Sequence, residues 1–395
     1  MNRREFLKIC QLLGLSLPFQ PLLSACASGQ SKSNSATESV LIIGAGAAGL
    51  SAGYLLKQQG IKFQILEASS HYGGRMKRTT DFAEFPIPLG AEWIHVKPSI
   101  LDEIVNDDSV DVGIKTTLYG PDVDYGLYVD SGSNKTERTS LRDADFTEDS
   151  KFINATWFDF FERYIVPSVE SQISYSAVVE AIDYSAASIQ VKTQDRIYSA
   201  DRVIITAPVK ILQNGAITFI PALPRSKQKA IDKVRVWDGC KAFIEFSDKF
   251  YPTLIGFDIS PATAGQKLYY DAAYGQDSSQ NILGLFAVGT GTKPYVDLSD
   301  DQLIAYILDE LDQLFDGQAS ANYVQHIFQN WNTEPYANGA YVIDDESWWR
   351  VRKLGESVDD RLFFAGDAYT TGDDWSSVHT AARSARRAVQ EILNL

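Results

Sequence analysis

At 395 residues, with 45% hydrophobic and 22% charged side chains, the chain is long enough to bury a large core, too apolar for global disorder, and expected to divide into two lobes. Its formal net charge is −15, which disfavours a nucleic-acid partner and draws cationic small molecules to the surface, although many soluble proteins are as acidic without such a role.

The chain opens on a targeting segment. Asn2-Arg3-Arg4-Glu5-Phe6-Leu7-Lys8 resembles a twin-arginine export signal, and an apolar run follows from Ile9 to Leu23. Leu23-Ser24-Ala25-Cys26 resembles a lipobox, where cleavage precedes attachment of a lipid to the cysteine. The alternatives are an uncleaved membrane anchor or a cysteine there by chance. Residues 1–25 are thus expected to be an export signal; they hold Arg3, Arg4 and Lys8 against Glu5, a net +2, so their removal leaves −17. Residues 26–37 read as a flexible tether. The expected location is the extracytoplasmic face of a bacterial membrane, held by lipid on Cys26. Of three cysteines, Cys10 leaves with the signal and Cys26 is lipidated, so Cys240 stands alone and no intramolecular disulfide is expected.

Val40 to Ile43 is an apolar strand-type run leading into Gly44-Ala45-Gly46-Ala47-Ala48-Gly49, with GxGxxG spacing. Leu50, Tyr54 and Leu55 recur at helical spacing, Gly60 ends the helix, and Lys62 to Leu66 reads as a second strand closing on Glu67. In such a βαβ unit Gly44 makes the tight turn, Gly46 lets a pyrophosphate approach the backbone, and Gly49 lets the helix pack on the strand. The helix N-terminus offers unpaired N–H groups to phosphates, and Glu67 is placed to accept from ribose hydroxyls. The acid disfavours a 2′-phosphate, leaving FAD or NAD.

Next come Gly73-Gly74-Arg75, a turn offering a guanidinium to phosphate oxygens, and Leu89-Gly90-Ala91-Glu92-Trp93-Ile94-His95. On spacing alone His95 reads as a core or surface histidine. Residues 96–168 are mixed and charge-rich, and read as helices and loops. Ile173 to Val191, including Val178-Val179-Glu180-Ala181-Ile182, alternates like hairpin strands, and Val203 to Pro208 reads as a buried strand and turn. In Gly239 to Phe246, alternation puts Cys240, Ala242 and Ile244 on one face and Lys241, Phe243 and Glu245 on the other; such a lysine by pattern alone is an edge or surface residue. Asp300 to Phe315 is an amphipathic helix with Asp300 as its cap. Trp348-Trp349 reads as a buried structural pair or as lining of the second lobe. Val378 to Leu393 is the closing helix. No His/Cys cluster has metal-ligand spacing, so no metal is expected.

The glycine motif with its acid, the GGR turn and GAEWIH together resemble the flavin-containing amine oxidase family, which includes monoamine and polyamine oxidases. The likeness continues through VIITAP, GCKAFIEF, WNTEPYANGAY from Trp331 to Tyr341, and FFAGD from Phe363 to Asp367, spanning nearly the whole mature chain. The resemblance implies an α/β, two-lobed fold: a Rossmann-type FAD-binding lobe from 38–96, 169–232 and 356–395, and an α+β substrate lobe with a mixed sheet from 97–168 and 233–355. It implies FAD held by Gly44, Gly46, Gly49, Glu67, Gly74, Arg75, Gly90, Ala91, Glu92, Trp93, Val179, Gly366, Asp367 and Val378. It also implies that Lys241 faces the flavin N5 through a water and that His95 lies near the substrate amine. Tyr341 would be one wall of an aromatic cage before the flavin. Ala340 stands where monoamine oxidases carry the cysteine bonded to FAD, so the flavin should be noncovalent. The opposite cage wall falls on or near Ser377 and is lost or supplied by Trp375, Tyr369 or another ring. Asp367 replaces the usual glutamate and Thr380 a glycine.

The reaction then expected is oxidation of a primary amine or polyamine to an imine and aldehyde, with oxygen as acceptor and hydrogen peroxide released. Glu92, Asp373, Asp374 and Trp375 could contact the substrate, or the paired acids could be a solvated loop. Three rivals stay open: an amino-acid oxidase that presents Arg235, Arg350 or Arg352 to a carboxylate, a flavin desaturase, or a noncatalytic flavin-binding module. An NAD enzyme is disfavoured because GAEWIH and FFAGD have no role there.

Overall fold

The computed structural model describes residues 39–119, 125–130, 135–140, 149–257, 264–344, 346–372 and 374–395. Cys26, with the export signal and tether, lies outside the described residues, and so does Asp373. Glu38–Leu395 forms one compact unit.

Its first layer is a parallel sheet in the order Leu362–Phe364, Arg202–Ile205, Ser39–Ile43, Lys62–Leu66, Ile173–Ser174. Ile42 pairs with Ile65 and Ile204, and Ile204 with Phe363. These side chains face helices Ala47–Gln58 and Val378–Leu393, while Leu41, Ile43, Val203, Ile205, Leu362 and Phe364 face the opposite way. Both faces are covered, which is why Val40 to Ile43, Val203 to Ile205 and Leu362 to Phe364 read as continuous apolar runs, while Lys62–Leu66, with Lys62 and Gln64, still alternates. Strands Val179–Asp183 and Ile189–Thr193 form the expected hairpin, with Ile197–Ala200 and Thr218–Ile220 completing its sheet. Ile173–Ser174, in contrast, joins the parallel sheet beside Lys62–Leu66.

A second sheet has the order Tyr323–Asn330, Gly239–Phe246, Asn281–Gly289, Gly265–Asp271, Leu254–Phe257, Tyr125–Asp130, Lys135–Ser140. It is mixed: Leu254–Phe257 runs parallel to Tyr125–Asp130 and the other pairs are antiparallel. Alternation along Gly239–Phe246 holds, since Cys240, Ala242 and Ile244 pack with Leu303, Ile307 and Leu311 of helix Asp300–Phe315. Burying three such aliphatic side chains is worth about 1.5–3 kcal/mol each. Burial also pushes the Cys240 thiol up to about 12, so it stays protonated. The opposite face carries Phe243 and Tyr270 and packs on Phe85, Ile87 and Leu89. Lys241 projects from that face.

Three sequence expectations are corrected. The cap of helix Asp300–Phe315 is Ser299, one residue earlier than Asp300: its hydroxyl accepts from Gln302 N–H and the Gln302 side chain returns to the Ser299 backbone. Residues 96–168 contain strands Thr116–Leu118, Tyr125–Asp130, Lys135–Ser140 and Ser150–Phe152 besides helices, and they do not show because Lys135–Ser140 is an edge strand with no apolar residue while Ser150–Phe152 buries a serine and a lysine. Trp348 and Trp349 are 57% and 54% exposed, not buried, since helix Trp348–Gly355 buries Val351 and Leu354 instead. Within 97–168, Ile100, Leu101, Trp157, Phe160 and Phe161 share a core with the glycine-motif helix.

Candidate active site

The glycine motif is built as its chemistry requires. Gly44 has φ +102° and donates its N–H to Leu66 O at 2.8 Å, closing the turn between the strands. A Cβ on Gly49 would fall 1.9 Å from Gly44 O, so helix and turn touch backbone to backbone. At Gly46 an added Cβ meets nothing within 4 Å, and the helix that starts there has no side-chain cap. Its first-turn N–H groups therefore face open space, the arrangement that receives a diphosphate. Glu67 ends the second strand and accepts from Ala45 N–H at 2.6 Å and Ser69 N–H at 2.8 Å. Burial pushes its carboxyl above the ordinary range, with those N–H groups pulling the other way. Ala177 N donates to Glu67 O, so the strand bearing Val179 starts beside this acid. Open space at Gly46, uncapped N–H groups and an acid at the strand end fit FAD.

A narrow cleft is lined by Arg75, Pro208, Lys210, Ala340, Tyr341 and Asp367, among others. Arg75 donates to both Asp367 oxygens, at 3.1 and 2.5 Å, and to Ala340 O. Gly90 is confined because its Cβ would sit 1.9 Å from Arg75 O, and Ala91 N donates to that same oxygen at 3.0 Å. The GGR turn and GAEWIH are thus one stitched unit. Gly74, with φ +53°, packs against Gly46, and Gly366 at φ +153° precedes Asp367. Ser384, unremarked in the sequence, fixes that turn by accepting from Gly366 N at 2.7 Å, with Ala381 O at 2.7 Å and Gly366 O at 3.0 Å sharing its one hydroxyl proton. Val378 begins the last helix and is buried against the glycine-motif helix; Thr380 completes a capping box with Ser377.

Lys241 is buried, and its Nζ donates to Pro88 O and Gly90 O at 3.1 Å each and to Glu92 Oε2 at 2.7 Å. Burial pulls its pKa down, and the Glu92 charge and hydrogen bond oppose that. Glu92 also accepts from the Tyr270 hydroxyl and lies 3.6 Å from Lys151 Nζ. Burial works to raise the Glu92 pKa, but the two lysines and the Tyr270 hydrogen bond outweigh it and hold the carboxyl below the ordinary range. The structure therefore places Glu92 behind Lys241 with cations around its carboxylate. Trp93 stands in an aromatic cluster, 4.7 Å from the Tyr119 ring and 5.2 Å from that of Tyr270. Lys151 and Tyr270 had no sequence signal: one sits in a charge-rich stretch that reads as loop, the other in an ordinary strand.

His95 is paired with Asp149, Nδ1 to Oδ1 at 3.0 Å, and 47% of its side chain is open to solvent. Burial lowers its pKa, yet the Asp149 hydrogen bond and the charges of Asp149, Asp374 and Asp344 prevail and raise it. Given that exposure, the Asp149 bond governs. The stability this pair contributes is full below the unfolded value near ~6.5 and is lost as pH rises through the elevated folded one. Replacing Asp149 with Asn is expected to lower the His95 pKa, partly rather than wholly because Asp344 and Asp374 remain. A histidine NMR titration checks it, and an unmoved midpoint would show that Asp149 does not set the value. Of the cage candidates, Tyr341 lines the cleft, and burial with the Asp344 charge pushes its phenol up. Trp375 donates Nε1–H to Ile343 O at 3.0 Å, two residues from Tyr341. Tyr369 is 1% exposed and donates to Ala207 O inside the core. Ser377 caps the last helix.

Residues 161–393 match the family model for flavin containing amine oxidoreductase, and residues 42–104 match the NAD(P)-binding Rossmann-like domain. Polyamine oxidase 1 of Zea mays is 25% identical over 456 residues, covering 90% of each chain. Lysine-specific histone demethylase 1B of Mus musculus is 25% identical over 416 residues, 84% of this chain. The chain spans about half the length of that relative and of human lysine-specific histone demethylase 2, 50% in each case. In fold it is similar to wild-type putrescine oxidase bound to putrescine, with a TM-score of 0.74 at 16% identity, covering 91% of this chain and 99% of that one.

Proposed function

Because this chain belongs to the flavin containing amine oxidoreductase family, an α/β fold that takes FAD, we propose that it oxidises a primary amine or polyamine to an imine, hydrolysed to an aldehyde, with oxygen as acceptor and hydrogen peroxide as coproduct. FAD supplies the hydride acceptor. The chain's own residues hold it, Gly44, Gly46 and Gly49 at the diphosphate and Glu67 at the ribose, with Arg75 and Asp367 further along the cleft. Ala340 has no sulfur to bond the ring, so the cofactor is noncovalent. Lys241 acts on the proton inventory beside the flavin, Tyr341 forms a wall, and His95 takes a proton from the incoming ammonium or orients its nitrogen.

The observation that carries the choice of an amine is the Asp149 carboxylate 3.0 Å from His95 Nδ1, an acid whose effect the charges of Asp344 and Asp374 reinforce; such a setting favours a cation there. An amino-acid substrate would need a cation for its carboxylate. Arg350 is committed to Glu346, and the Arg235 guanidinium lies 3.8 Å from the same carboxylate. The visible spectrum of the flavin-loaded protein, recorded before and after anaerobic addition of mono-, di- and polyamines and of amino acids, tests the proposal. Bleaching by an amine is expected; bleaching by amino acids alone, or by nothing, would sink it.

The proposal includes export and a lipid on Cys26, supported by Arg3-Arg4 and the Leu23–Cys26 sequence. Labelled fatty acid should enter the wild-type chain in bacterial cells and not Cys26→Ser; equal labelling of both would refute this part.

A further inference from the structure

Two lysines share one buried carboxylate, and Lys241 is bonded to Gly90 O, next to the backbone that holds Arg75 of the cleft. Glu92 Oε2 accepts from Lys241 Nζ at 2.7 Å and from the Tyr270 hydroxyl at 2.5 Å, while Lys151 Nζ stands 3.6 Å from Oε1 and donates to Ala272 O at 2.8 Å. Lys241, Glu92 and Lys151 are 4%, 6% and 3% exposed. Asp271, itself bonded to Lys249 at 2.7 Å, acts on Lys151, and the Glu92 charge in turn acts on Tyr119 and Tyr270. Fully charged, the Lys241–Glu92–Lys151 trio is net positive in a setting of low dielectric, which is costly; with one lysine neutral it carries no net charge. Burial accordingly draws both lysines below their ordinary range. Glu92 and Lys151 also line a second, small recess with Phe85, Thr156 and Gln276.

We propose that Glu92 and Lys151 are positioning residues that make, with Lys241, a one-proton store for the oxidation site. One lysine is neutral before the reaction and gains a proton during it. The proposal rests on the amine oxidase reading. An ammonium substrate loses one N–H proton, then the carbon releases a hydride, and an iminium remains. Oxygen takes that hydrogen with its two electrons, plus one proton, and becomes hydrogen peroxide. The proton lost in the first half equals the proton needed in the second; His95 orients the nitrogen or passes that proton on, and the trio holds it in between.

The pH dependence of the bound flavin's two-electron midpoint potential, measured with a chemical reductant, counts protons without any amine. For two electrons a tenfold change is 29.6 mV, so one proton taken up per reduction gives about 30 mV per pH unit and two give about 59 mV. Between roughly pH 7 and 9 the wild type is expected near the steeper slope, one proton going to the flavin and one to the trio. Lys151→Met and Glu92→Gln are expected near the shallower one. Glu92→Gln keeps the shape and an acceptor oxygen toward Lys241 and Tyr270, so it carries the comparison should Lys151→Met fail to fold. A shallow wild-type slope, or variants as steep as the wild type, overturns the store. A steep slope in a protein whose flavin no amine bleaches would instead sink the substrate reading alone.

Discussion

Replacing Lys241 with methionine is expected to slow reduction of the bound flavin by its best amine by about 10²- to 10⁴-fold, the usual weight of a positioned acid–base group. Methionine keeps the apolar stem of a side chain that is 4% exposed, so packing changes little. Glu92 loses one cation but keeps Lys151 and Tyr270, so the loss of stability should fall below the ~3–5 kcal/mol seen when a buried charge is left with no partner. Stopped-flow reduction kinetics on a variant whose visible spectrum still shows bound flavin separates rate from folding. The geometry adds a condition. All three N–H donors of a charged Lys241 are taken, by Pro88 O, Gly90 O and Glu92, so a charged Lys241 turns no donor toward the cleft. A neutral Lys241 has a lone pair with which to hold a water. Unchanged reduction in Lys241→Met would remove this residue from the chemistry.

What the sequence disclosed follows from how local each constraint is. The βαβ unit was legible, to within a residue or two at its ends, because its demands are local: Gly44 at φ +102°, Gly49 against Gly44 O, and an acid following the second strand are written within Val40 to Glu67. The face of Lys241 followed from period-2 alternation alone. Its partners did not, because Lys241 and Glu92 are 149 residues apart and Lys151 reaches them from a strand hidden in a charge-rich stretch. Asp149 beside His95 was missed for the same reason. Trp348 and Trp349 misled because a tryptophan pair is ordinarily buried, whereas here Arg350 covers one ring, 5.0 Å from the Trp349 centroid. Even the Ser299 cap was written in the sequence as S-x-x-Q, which the stronger signal of two following aspartates obscured.

Gly49→Ala and Gly46→Ala are expected to fail in different ways, and the pair separates packing from binding. At Gly49 the new methyl would lie 1.9 Å from Gly44 O, 3.0 Å from Gly44 C and 3.2 Å from Thr206 Oγ1. None of these can step aside: Gly44 is bonded to Leu66 O, and the Thr206 hydroxyl donates to Ile43 O at 2.6 Å. The helix must therefore lift off the sheet, at about 1–3 kcal/mol for overpacking, carrying its N-terminal N–H groups away from the diphosphate. At Gly46 the backbone is extended, φ −80° and ψ −171°, which alanine adopts without strain, and the methyl meets no atom within 4 Å. Gly46→Ala should thus unfold at the wild-type temperature when flavin-free, yet retain little FAD, because the methyl occupies the space the diphosphate needs. Thermal unfolding of the flavin-free chains and the ratio of visible flavin absorbance to protein absorbance read the two effects apart. Full flavin occupancy in Gly46→Ala would mean that the open space over this glycine is not where the diphosphate lies, and the placement of the cofactor along Arg75 and Asp367 would have to be redrawn.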